Sequence, residues 1–361
     1  MQDFNNFQPP DDRQAEQIFY NEAKNRSPQS VYGNHQYMGD FTADTNQSDR
    51  FFERSKVKSL AFISGICMLG YLLMQGVLVY IFSIEGMWEL YNSDYYFESG
   101  LSIFFSIVAI GLPFSLVYLF AKRRGYGSLN SFGKPHGKAF TTALIIMGFG
   151  FCLLASYITN IIYMLFQSAG VTLPYEDFTP PLEIAAVIML FIKTAIVPAL
   201  IEEFAVRGFL LQSMRKFGDG FAIVMSSLVF SLLHANAVQI PFAFMAGLVL
   251  GYVFCKTNSI WPPIIVHFLN NAFSCVETVI FAALPKELAN SVDNILTIGI
   301  AVFAIISLII VLMSKKSLLP KTRTYLSGGE KAKAFVFQPM FFIMALLYLG
   351  LTVVDVLGAN V

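Results

Sequence analysis

Charge is what this 361-residue chain has least of. Only 13% of its residues are Asp, Glu, Lys or Arg, while 55% are hydrophobic; a soluble domain carries roughly 25% charged residues. That balance excludes an ordinary water-surrounded globule. Net charge is zero, so there is no electrostatic footprint for a nucleic acid. Cysteine is scarce too. Cys67, Cys152, Cys255 and Cys275 all lie in apolar segments, with neither a disulfide framework nor the close spacing of a metal site, and read as small core residues. There is no His-Glu-x-x-His helix, no internal repeat between the two halves, and no alternation of the β-barrel kind. The first 58 residues lack a long apolar run, and also the basic start and apolar middle of a cleavable signal peptide. Rich in Asn, Gln, Asp, Pro and Tyr, they read as a largely disordered cytoplasmic tail, available to bind a partner.

Beyond the tail the chain is a series of long apolar blocks. A bilayer crossing takes about 20 such residues, which predicts spans near 59–84, 100–121, 139–168, 183–212, 221–236, 239–256, 260–284, 293–314 and 334–357. Runs of this kind must be helical, because lipid cannot satisfy exposed backbone groups. The expected fold is therefore an all-α, polytopic transmembrane bundle of about eight to nine spans. It divides into a tail (1–58), N-terminal helices (59–180), a central core (181–285) and C-terminal helices (286–361). Lys and Arg crowd the loops around 122–138 and 315–333, whereas the loops 85–99 and 169–182 have none. The positive-inside rule then puts the N-terminus in the cytoplasm of a multi-pass integral membrane protein, in the plasma membrane if the cell is bacterial.

Ionisable side chains are costly inside a bilayer, so their placement is informative. The fourth, fifth and seventh spans hold nearly all of them: Lys193, Glu202, Glu203, Arg207, His234, His267 and Glu277. Glu202 and Glu203 sit about 100° apart on a helix and face different neighbours. Glu203 and Arg207, four apart, can pair along one face, and Pro198 weakens the helix just before them. Phe230 and His234 share a face, as do His267 and Asn271; Asn270 lies about 100° from Asn271 and is the lesser partner. Helical rise places Glu202 ~16 Å, His234 ~20 Å and His267 ~10 Å from the basic ends of their spans, so antiparallel packing brings them to a common level. Lys193 and Glu277 fall in the other half of the membrane, where an ion pair between them is expected.

The order Glu-Glu-x-x-x-Arg, Phe-x-x-x-His, His-x-x-x-Asn, carried by Glu202, Glu203, Arg207, Phe230, His234, His267 and Asn271, resembles the CPBP family. That family includes the type II CAAX prenyl proteases and bacteriocin-processing membrane proteins. The resemblance covers roughly residues 180–285, with one departure at Val206, where an aromatic is expected. It implies an intramembrane endopeptidase acting on a membrane-associated peptide or protein within the lipid bilayer. By carry-over Glu202 is the general base, His234 shares its water, His267 and Asn271 stabilise the oxyanion, and Glu203 and Arg207 hold the geometry. The expectation is a mechanism without a metal; the alternative is zinc held by Glu202, His234 and His267. The competing functions are a transporter or channel, and a catalytically silent membrane adaptor or immunity protein.

Overall fold

The computed structural model describes residues 38–123, 126, 132–135, 137–174, 179–314, 319 and 322–360, with side chains from residue 47 onward. The chain divides into two units, Met1–Asp49 and Arg50–Val361. Of the first, only a helical stretch is described; the second carries the rest of the fold.

Every regular element among the described residues is helical. Helix α1 runs Met38–Phe82, α2 Met87–Ser93, α3 Tyr95–Arg123 and α4 Lys138–Ser168. The continuous segment Ile184–Phe217 is α5. Then come α6 Asp219–Leu232, α7 Gln239–Thr257, α8 Trp261–Ala283, α9 Lys286–Met313, α10 Gly328–Val336 and α11 Pro339–Gly358. All but α2, α6 and α10 are long and apolar enough to cross a membrane, which makes 8 such helices among the described residues. This is a multi-pass integral membrane protein.

Helix α6 is where the expected nine spans come down to eight long ones. Its 14 residues cover ~21 Å, short of the ~30 Å hydrocarbon core. It stops at Leu232 rather than continuing to 236, and the chain turns through His234 and Ala235, the latter at φ 47°. Asn236 then starts α7 by accepting the backbone N–H groups of Val238 and Gln239 at 2.9 and 3.0 Å.

In lipid, helices associate by close packing rather than by escape from water, and small residues permit the approach. Gly247 of α7 lies against Ser227 of α6, where a Cβ would come within 2.9 Å of the serine side chain. Gly150 of α4 meets Ala304 of α9 even more tightly. Helix α4 also packs on α7 and α8, and α3 packs on α5. The core joins Phe209, Leu210 and Met214 of α5 to Phe230, Phe114 and Phe254. Helix α9 shows the opposite face, presenting Ile295, Ile298, Phe303 and Leu312 outward, as a lipid-solvated surface should.

Residues 38–58 of the expected tail are helical, the rest of that tail lying outside the described residues, and long-range contacts hold the stretch from Arg50 onward. Arg50 donates to the Tyr325 carbonyl at 2.8 Å and pairs with Glu330. Glu53 accepts the Tyr325 backbone N–H. Glu330 in turn closes a capping box with Ser327 at the start of α10. Lys331, which the sequence pattern places among the basic loop residues, is buried. Its ammonium donates to the Phe217 carbonyl at 2.6 Å, capping the C-terminal end of α5, where a positive charge is favoured. Burial pushes its pKa down, and Glu53 opposes that shift.

Candidate active site

The site is built around α5, which is not a regular α-helix. Ile192–Ile196 and Phe204–Leu211 are π-helical, separated by the α-helical turn Val197–Glu203. Proline accounts for the first widening. Pro198 has no N–H to offer the carbonyl four residues back, which is Thr194. That orphaned carbonyl is taken by the Asn271 side-chain amide of α8, at 2.9 Å across 77 residues. Interruptions of this kind concentrate at functional sites; here they bracket the adjacent carboxylates Glu202 and Glu203.

The two carboxylates meet different surroundings. Glu203 is 0% exposed and so is Arg207. Arg207 Nη1 donates to Glu203 Oε1 at 2.7 Å, and Nη2 donates to the Gly247 carbonyl at 3.2 Å. The guanidinium also lies over the Phe230 ring, 4.7 Å from its centre. The same Glu203 Oε1 accepts from His267 Nδ1 at 2.9 Å. A carboxylate oxygen can only accept, so the His267 proton sits on Nδ1 and Nε2 is left to face outward. What it faces is Glu202, whose Oε2 lies 3.8 Å away and whose side chain is 19% exposed. That separation is too long for a hydrogen bond, though one water or substrate atom can engage both groups.

His234 obeys the same logic. Its Nδ1 lies 2.9 Å from the Phe230 carbonyl, another pure acceptor, so Nδ1 carries the proton and Nε2 keeps its lone pair. The Phe230 ring meets both imidazoles edge-on, at 4.9 Å from His234 and 6.2 Å from His267. One aromatic side chain thus spaces both histidines and covers the arginine.

Glu202, His234, His267 and Asn271 line one cavity of about 1110 Å³, while Glu203 and Arg207 stand behind its wall. The structure therefore brings the sequence-predicted set together, with two changes of part. Asn271 commits an amide N–H to Thr194, and Asn270 lines the cavity as well and donates to Asn271 Oδ1 at 3.1 Å. The expected Lys193–Glu277 pair is replaced. Lys193 binds Glu98, which lies in the first turn of α3 because that helix starts earlier than hydropathy places it. Glu277 faces Asp293 of α9. Both new partners sit at span ends, where a carboxylate reads from sequence as solvated. The four cysteines are buried, as expected.

Among the described residues no three His, Cys, Asp or Glu side chains are grouped to hold a metal ion.

Residues 184–273 match the family model described as type II CAAX prenyl endopeptidase Rce1-like. This central segment is similar to that endopeptidase family. The matched stretch opens with α5 and runs through the Asn271 turn of α8, so it contains the whole constellation. A curated relative, "Putative membrane peptidase YdiL" of Bacillus subtilis (strain 168), is 29% identical over 91 residues, or 25% of this chain. The chain spans only 37% of that relative's length. No solved structure matches the chain. The matched segment thus supplies the Glu202, His234, His267 and Asn271 part of the cavity lining, and helices outside it supply the rest.

Proposed function

We propose that this protein is an intramembrane endopeptidase in which Glu202 activates water against a peptide bond. The observation that carries the reading is the split between the two adjacent carboxylates. Glu202 opens into the cavity beside His267 Nε2, while Glu203, locked to Arg207, fixes the His267 ring from behind. Glu202 takes a proton from water as the oxygen attacks the carbonyl carbon. His234 Nε2, with its free lone pair, orients that water. The oxyanion is met by the remaining amide N–H of Asn271 and by His267, whose Nε2 donates when it shares the proton that Glu202 has taken from the water. Glu202 then returns the proton to the leaving nitrogen as the C–N bond breaks, so no net proton is consumed within the site. Donors held in a dry cavity act on developing charge far more strongly than in water.

The substrate is a membrane-associated peptide or protein, reached from within the bilayer. No metal is used. A chelator leaves turnover unchanged on this account; activity that a chelator abolishes and zinc restores contradicts it. Peptidomics of membranes from cells expressing the wild type or Glu202→Gln tests the function itself. Cleavage products present with the wild type and absent with the variant are expected, and identical peptide sets would overturn the proposal.

The basic loops motivate a cytoplasmic N-terminus. On a cysteine-free background, Asn92→Cys in α2 should label from outside and Ser55→Cys only after permeabilisation. The reverse pattern would invert the topology.

A further inference from the structure

The cavity continues beyond the catalytic residues. Glu277 lies ten residues past His267 on α8, ~15 Å along the helix, and lines the same space together with Asp293, Thr297 and Thr159. The carboxyl groups of Glu277 and Asp293 face each other within hydrogen-bonding reach. Carboxylates offer each other only acceptors, and Asp293 Oδ1 is buried with no donor to it. Thr297, one helical turn further along α9, has a buried hydroxyl without a partner. Thr159 of α4 is 7% exposed, and its hydroxyl is also unpartnered. Buried polar atoms left unsatisfied in this way call for an explanation, and four oxygen-bearing side chains converging from three helices supply one. Lys193, the lysine on the cavity wall, is bound to Glu98. The cavity's charged lining is therefore Glu98, Glu202, Glu277 and Asp293 against that one lysine, a strongly acidic balance for a membrane interior.

We infer that Glu277, Asp293, Thr297 and Thr159 form a subsite for a cationic side chain, lysine or arginine, of the peptide whose bond lies at Glu202. The inference rests on the peptidase reading of the cavity. An extended peptide advances about 3.3 Å per residue, so the basic residue belongs about four to five residues from the scissile bond. Competing occupants are a small inorganic cation, or a shared proton that merely clasps α8 to α9.

The test uses the full chain in nanodiscs and a peptide series in which one lysine, or its uncharged isostere norleucine, is walked along the sequence. Cleavage is measured with the wild type, and binding of the same peptides with Glu202→Gln. The expected result is a lysine-over-norleucine preference of about tenfold or more, confined to positions near the predicted distance. It should fall toward unity in Glu277→Gln/Asp293→Asn, and partly in Asp293→Asn alone should the double variant fold poorly. A ratio near one in the wild type, or one unmoved by the variants, would overturn the subsite. Thermal stabilisation by sodium over N-methylglucamine, lost in the variants, would assign the pocket to an inorganic ion and overturn it equally. Should no peptide be cleaved while lysine-selective binding persists and depends on Asp293, the peptidase reading fails and the cationic subsite stands.

Discussion

Glu202 and Glu203 are neighbours in sequence and occupy two different regions of the molecule. One faces the cavity with no cation bonded to it. The other is sealed into the packing between α5, α7 and α8, where Arg207, His267 and the Gly247 carbonyl form a chain of contacts. About 100° of helix rotation separates a carboxylate that lines the cavity from one that is fully buried against Arg207 and His267. The contrast teaches that in a membrane interior a charged residue's part is set by what surrounds it. On the proposed reading, the buried, bonded carboxylate serves as scaffold and the one open to the cavity carries the chemistry.

The contrast is most sharply broken on the scaffold side. Glu203→Gln leaves Arg207 buried without its counter-charge, and stranding one partner of a buried pair costs about 3–5 kcal/mol. Expected is a protein that unfolds far below the wild-type temperature in a thermal-shift assay. A midpoint within a degree or two of wild type would show that Glu203 is not scaffold.

Loss of the Asn271 clasp should cost less. Asn271→Ala strands the Thr194 carbonyl, at about 1–3 kcal/mol for an unsatisfied buried group. Pro198→Ala supplies the missing backbone N–H, so in that background the cost of Asn271→Ala should shrink to below about 1 kcal/mol. Equal costs in both backgrounds would refute the explanation of the π-helical turn.

The smallest effect concerns the loop contacts of α10. Glu330 has its carboxyl held below the ordinary range, chiefly by the Ser327 backbone N–H, then by the Ser327 hydroxyl contact, with Arg50 and Arg54 adding to it. A folded-state pKa below the unfolded one contributes stability that is present above the unfolded carboxylate range and lost as pH falls through the folded value. Glu330→Gln should therefore lower the thermal midpoint slightly at neutral pH and not at all at strongly acid pH. A difference that persists unchanged under acid would contradict the assignment.

Much of the fold and site is legible in the sequence because membrane physics leaves few choices. Apolar runs must be helices, and ionisable residues within them must converge. Glu202, Glu203, Arg207, His234 and His267 are therefore identifiable from spacing and depth alone. The parts that escape depend on partners far along the chain. Lys193 finds Glu98 across 95 residues, and Arg50 meets Glu330 across 280; hydropathy carries no trace of either. Pro198 announces a weakened helix, but the amide that answers its orphaned carbonyl comes from α8. The apolar pattern puts His234 on a helix that the chain has just left, since the end of α6 is set by the turn at Ala235 rather than by a loss of apolar residues.

The central claim, that Glu202 and not Glu203 is the carboxylate of the reaction, is tested most directly by measuring turnover and thermal midpoint on the same purified Glu202→Gln sample. Glutamine keeps the shape and a hydrogen bond but cannot accept the proton. The account predicts a wild-type midpoint with cleavage of a quenched peptide reduced by roughly 10²–10⁴. Cleavage at the wild-type rate would contradict it.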